Sequence, residues 1–111
     1  MMIELIVKEY LENTLNVPVF FEEQTDSYEK YVVIDKTGSS VENFIYTATF
    51  ALQSYANTKY ESAVLNESVK NAMDNIVNLN SVSKSKLNSD YDFTDTTKKK
   101  YSYQSVYDLV Y

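Results

Sequence analysis

The stretch "NFIYTATFALQSYA" (43–56) constrains this chain more than any other, because it alternates with period two over more residues than a helix could tolerate. Phe44, Tyr46, Ala48, Phe50 and Leu52 share one parity, while Thr47, Thr49, Ala51 and Gln53 share the other. Ile45 is the apolar exception on the second parity. β-branched and aromatic residues suit a half-buried pleated surface, so this segment requires a sheet with an apolar layer against one face.

The flanking segments supply the remaining pieces. Ile3, Ile6, Val7, Tyr10, Leu11, Thr14 and Leu15 recur at helical spacing, with Glu4, Lys8, Glu9, Glu12 and Asn13 falling elsewhere. Asn16 is a natural stop, and Pro18 cannot continue the helix because it lacks an N–H and holds Val17 extended. "VPVFFEEQ" and "KYVVIDK" read as strands around a "TDSYEK" turn; in the second, Tyr31 and Val33 oppose Val32 and Ile34. "TGSSVEN", with the only glycine, Gly38, reads as a loop. Thr58 and Glu61 stand at capping-box spacing ahead of a second helical stripe of Leu65, Val69, Ala72, Met73, Ile76 and Leu79. "SVSKSKLNSDYDF" and "KKYSYQSVYDLVY" read as two closing strands joined at "TDTTK". The order α-β-β-β-α-β-β predicts an α+β domain spanning 1–111: a mostly antiparallel sheet with two helices packed on one face. The second face and a long edge along "YSYQSVYDLVY" then need cover, which monomers blunt and oligomers pair.

Inventory narrows the chemistry. There is no cysteine and no histidine, which removes thiolate and serine–histidine nucleophiles and the commonest metal ligand. Sixteen acids against ten lysines give a net charge of −6, unsuited to gripping phosphates by counterion release. The charges at Glu4, Lys8 and Glu9 speak against a signal peptide, and no apolar run approaches the ~20 residues that span a bilayer. Asp90, Asp92 and Asp95 lack the glycine and closing glutamate of a calcium loop, and Glu22, Glu23 and Asp26 have no histidine or arginine to position a substrate. Lys98, Lys99 and Lys100 are the one cationic run, read as a solvated turn. No enzyme, cofactor or metal is expected.

Three stretches carry a family likeness: "TGSSVENFIYTATFALQSYA", "LNESVKNAMDNI" and "KLNSDYDFTDTTKKKYSYQSVYDLVY". Over nearly its whole length the chain resembles the tail terminator (tail completion, or minor capsid) proteins of long-tailed phages and prophages of Gram-positive bacteria. The resemblance implies a sheet with helices on one side and a virion protein, assembled in the host bacterial cytoplasm, that ends the tail. A hexameric ring of such subunits caps the tail-tube protein, stops its growth and docks to the head–tail connector or stopper protein. DNA would pass through the ring without sequence-specific binding, with no membrane involved. Six copies at −6 each would carry about −36, and acids such as Glu22, Glu23, Asp26 and Glu29 are candidates to face and repel that DNA, so that reversing them should hinder its delivery. Two polar segments are the expected docking surfaces: 36–43, with Lys36, Thr37, Gly38 and Ser39, and 92–100, with Asp92, Phe93, Thr94, Asp95 and Lys98. Tyr101, Tyr103 and Tyr107 are divided between core and interface roles. Another neck component, or a small module holding a peptide on the tyrosine strand, stands as the alternative.

Overall fold

The computed structural model describes residues 2–22, 29–94 and 101–111. The elements run α1 (Ile3–Leu15), β1 (Val19–Phe20), β2 (Lys30–Glu42), β3 (Ile45–Ala56), α2 (Lys59–Asn75), a 3₁₀ turn (Ile76–Asn78), β4 (Lys84–Asp92) and β5 (Tyr101–Val110). They form an α+β fold, a five-stranded, mostly antiparallel sheet in the order β1-β2-β3-β5-β4 with both helices on one face. Among the described residues, the one parallel pairing joins β1 to β2, Val19 opposite Val32.

Local chemistry sets the helix ends. Asn16 adopts the left-handed conformation (φ 56°) that ends α1, and its N–H bonds the Glu12 carbonyl at 3.1 Å. Thr58 caps α2 by accepting from the Glu61 N–H at 3.1 Å. The helical stripes meet the sheet where the pattern predicts. Ile3, Val7 and Leu11 from α1 and Leu65, Val69, Ala72 and Met73 from α2 bury against Val32, Ile34, Ala48, Phe50, Leu52, Tyr107 and Leu109. Tyr10 ties the helices together by donating to the Ala72 carbonyl at 2.7 Å.

Two expectations change. The segment 36–43 is not a loop. β2 runs through it to Glu42, absorbing one extra residue in a bulge between Lys36 and Gly38, and pairs with β3 as far as Glu42 opposite Ile45. Gly38 has no positive φ, and a Cβ there would meet nothing within 4 Å, so its freedom is not what the chain uses. Serines and threonines that look loop-like in isolation are held by the ladder to β3, including a hydroxyl pair between Ser40 and Thr47. Second, β5 is no edge. It is hydrogen-bonded to β3 on one side and β4 on the other. One exposed edge is β4, which carries Lys84, Lys86 and a bulge between Leu87 and Ser89, the features that discourage edge-to-edge pairing. Among the described residues, the other is β2 beyond Val33, because the two-residue β1 covers only Val32 and Val33.

The helix-free face holds a smaller cluster. Tyr31 and Tyr55 stack across β2 and β3 with ring centres 4.7 Å apart, and Phe20 meets Tyr31 edge-on. From Tyr55 a line of side-chain hydrogen bonds crosses to β4: Tyr55 donates to Gln53 (3.1 Å), Gln53 to Gln104 (3.0 Å), and Gln104 to the Tyr91 oxygen. Gln104 is buried and still has both ends of its amide bonded, so this polar line adds no unpaired group to the surface.

Candidate interaction site at the hairpin end

The β2–β3 hairpin outruns the helices. Every residue from 35 to 46 is exposed, whereas Ala48, Phe50 and Leu52 farther along β3 are buried. Phe44 and Tyr46, which share parity with that core, therefore lie beyond it. Alternation continues past the point where the helical layer stops, and period two carries no information about where that point is.

The turn itself is unusual. Asn43 and Phe44 connect Glu42 to Ile45, and both have positive φ, 51° and 65°. That is the φ signature of a type I′ hairpin turn, in which asparagine followed by glycine is the favoured pair. Asparagine tolerates the left-handed region, but a bulky side chain in it costs roughly 1–2 kcal/mol. Here the strained position holds a phenylalanine that is 94% exposed. Val41, Ile45 and Tyr46 are exposed beside it, Val41 and Tyr46 as a cross-strand pair on one face and Ile45 on the other, with Tyr46 leaning towards Tyr111 at a ring separation of 6.0 Å. Neither packing nor backbone preference accounts for Phe44. Strain of this kind, combined with exposure of an aromatic ring, makes Phe44 a candidate contact residue.

The residues singled out from the sequence fall at two opposite ends of the sheet. Lys36, Thr37, Gly38 and Ser39 lie on the exposed length of β2, where Lys36 pairs with Glu4 on α1 at 3.3 Å and Thr37 reaches the Thr49 carbonyl at 3.4 Å. Asp92, Phe93, Thr94 and Tyr101 lie at the far end, where β5 begins opposite Ala56 and β2 begins opposite that same residue. Asp95 and Lys98 lie outside the described residues, as do Glu23 and Asp26; Glu22 and Glu29 are exposed. The tyrosines separate cleanly. Tyr107 is fully buried, Tyr103 is half-buried, and Tyr101 is exposed. Tyr107 is therefore a core residue and not an interface one. Its single phenolic proton is shared between two acceptors, the Asp74 carboxylate (2.9 Å) and the Lys70 carbonyl (3.1 Å), and burial together with the Asp74 carboxylate pushes its pKa far above the ordinary value.

The carboxylates near β4 are occupied by the fold. Asp90 accepts from Asn66 (2.7 Å) and Lys70 (2.6 Å), and Lys70 also reaches Glu67 at 2.8 Å. Burial alone would raise the Asp90 pKa, but the hydrogen bonds from Lys70 and Asn66 outweigh it and hold the carboxyl below 3.8. Asp92 is held low by its hydrogen bonds to Thr94, with Lys59 contributing from 3.5 Å. Among the described residues, no three acids converge as a metal site would require. A depressed folded-state pKa means the Asp90 contribution is fully present above the ordinary carboxylate value near pH 4 and is lost as pH falls below it through the lower folded-state value. Asp90→Asn should therefore cost about 1 kcal/mol at pH 7, after allowance for partial exposure, and leave unfolding less sensitive to acid between pH 4 and pH 2. Chemical denaturation at those pH values checks this; an acid sensitivity unchanged from the parent would remove Asp90 from the account.

No protein-family model and no curated protein matches the chain. Among the described residues, no helix is long and apolar enough to cross a membrane.

Proposed function

We propose that this chain is a structural subunit of a phage tail terminator, assembling as a sixfold ring and closing the end of the tail tube. The observation that carries the reading is the hairpin end, where a strained and almost fully exposed Phe44 is grouped with Val41, Ile45 and Tyr46 on a fold of only 111 residues. A surface of this kind serves association, because catalysis would instead demand converging nucleophile, base or metal-binding groups. The likeness of "TATFALQSYA", "LNSDYDFTDTT" and "YQSVYDLVY" to tail terminators supplies the kind of assembly. The one-sided helical layer agrees with the fold that this likeness implies.

The described parts of the two polar segments, 36–43 and 92–94, support the same reading from opposite ends of the sheet. A ring at the end of a tube has one neighbour below, the tail-tube protein, and another above, the connector or stopper of the head. Contact segments at two ends suit two such partners better than a single pocket would. In this reading the ring remains in the virion tail and needs no cofactor. Addition of the purified chain to polymerising tail-tube protein should arrest elongation at a small ratio of chain to tube subunit, read as a plateau in light scattering. Elongation that proceeds at its ordinary rate in the presence of excess chain would exclude the capping role.

A further inference from the structure

The exposed hairpin end has a counterpart elsewhere on the same molecule. Between α1 and α2 lies an open groove of about 460 Å³, with Tyr10, Leu15 and Val17 on one side and Val64, Leu65 and Ala72 on the other. That volume lies within the ~300–1,000 Å³ range of sites that take up ligand-sized groups. Lys30 is the only charged residue in its lining. The turn end, in turn, carries a single charge, Glu42, beside Phe44. Neither Lys30 nor Glu42 takes part in any of the ion pairs found among the described residues. Thr14, Ser68, Asn71 and Asn75 make the rest of the groove polar. A tip with an aromatic ring and one unpaired acid thus matches, in charge, a groove of mixed polarity with one unpaired base.

The two surfaces cannot meet within one chain. Lys30 begins β2 and Glu42 ends it, and at about 3.3 Å per residue that strand separates them by roughly 40 Å. This is nearly the full 45 Å length of the molecule. Complementary patches at opposite ends of a molecule generate head-to-tail contacts, which close into a ring when the rotation between copies permits it and otherwise continue as a filament. We infer that the hairpin tip of one copy seats in the helix groove of the next, with Phe44 as the buried anchor and Glu42 paired to Lys30 of the neighbouring copy. This rests on the ring-forming reading and specifies how its subunits join. The strain at Phe44 is then explained: the left-handed turn aims an aromatic ring outward from the end of the hairpin, and burial of that ring in the neighbour offsets the conformational cost.

The chain has no native cysteine, so disulfide trapping reports only engineered pairs. Ile45→Cys places a thiol beside Phe44 without removing it, and Ser68→Cys places one in the groove with little change of shape. Under mild oxidation at high protein concentration, with and without tail tubes, these two variants should cross-link at least tenfold faster than Ile45→Cys does with Lys86→Cys on the helix-free face. Glu42→Lys and Lys30→Glu should each slow the reaction, and a mixture in which both charges are reversed should restore it. Equal rates for the two cysteine pairs, or preferential pairing of Ile45→Cys with itself, would overturn the inference. Capped tubes without the cross-link would mean that the ring closes by another contact, whereas the cross-link without capping would leave the contact and remove the tail role.

Discussion

Phe44→Gly should leave the isolated protein as stable as the parent or more stable by about 1 kcal/mol, while abolishing the arrest of tail-tube growth proposed for it. Two effects give the folded-state result. Glycine relieves the cost of a bulky residue at φ 65°, and Asn-Gly is the preferred pair for a type I′ turn. Little packing is lost in exchange, since the phenylalanine is 94% exposed. Glycine also widens the unfolded ensemble, which trims the gain and keeps it near 1 kcal/mol or below. Assembly moves in the other direction. An aromatic anchor buried at the centre of an interface typically accounts for 2 kcal/mol or more on truncation, or a loss of roughly thirtyfold in each contact. In a closed ring that loss recurs at every junction. Unfolding by urea and tube-growth arrest measured on the same preparation separate the two effects. A variant that is destabilised by 2 kcal/mol, or one that still arrests growth at the parent's ratio, would show that Phe44 serves the fold and not the contact.

Tyr107→Ala should have the largest effect on folding itself. The side chain is fully buried between β5 and α2, and its hydroxyl proton is shared between the Lys70 carbonyl and the Asp74 carboxylate. Emptying such a site removes an aromatic ring and the shared hydrogen bond of its hydroxyl, at a cost of about 3–5 kcal/mol. Against a total of roughly 5–15 kcal/mol for a domain, this is enough to leave a substantial unfolded fraction at 37 °C. Tyr107→Phe keeps the ring and should cost only about 1 kcal/mol. It also tests the titration. A raised folded-state pKa contributes stability that is complete below the ordinary tyrosine value of 10.0 and declines as pH rises above it. Lys70, raised by its hydrogen bonds to Asp90 and Glu67, loses its contribution in the same direction above 10.5. Tyr107→Phe should therefore flatten, but not remove, the fall in stability above pH 10. Tyr103→Ala, at a half-buried position, should cost distinctly less than Tyr107→Ala. Equal losses for the two would contradict the placement of Tyr107 in the core.

The sequence and the structure agree where the determinants are local. The stop at Asn16, the cap at Thr58 and the stripes of both helices depend on residues three or four apart, and each is found as patterned. The opposed parities of β2 were legible for the same reason: Val32 and Ile34 face the helices while Tyr31 and Val33 face away. Strand order is a non-local property. Nothing within "YSYQSVYDLVY" tells that β3 and β4 will flank it, so a central strand looks like an edge. The segment 36–43 was misread because its small hydroxyl residues are permissive, and partnership with β3 decides its conformation. The hairpin end escaped notice for a related reason. Phe44 and Tyr46 continue the alternation of the core, and only the length of the helices reveals that nothing in the same chain covers them. A signal was present in Asn43-Phe44, a bulky residue where a tight hairpin favours glycine, but it has meaning only once the turn is known to have two residues.

The most direct measurement is electron microscopy of tail tubes assembled with the chain, with averaging of the tube ends. The account predicts one additional ring at a single end of each tube, sixfold in projection, with density joining the hairpin end of each subunit to the helical side of the next. Tube ends identical to those formed without the chain, or the chain bound along the tube wall, would contradict it.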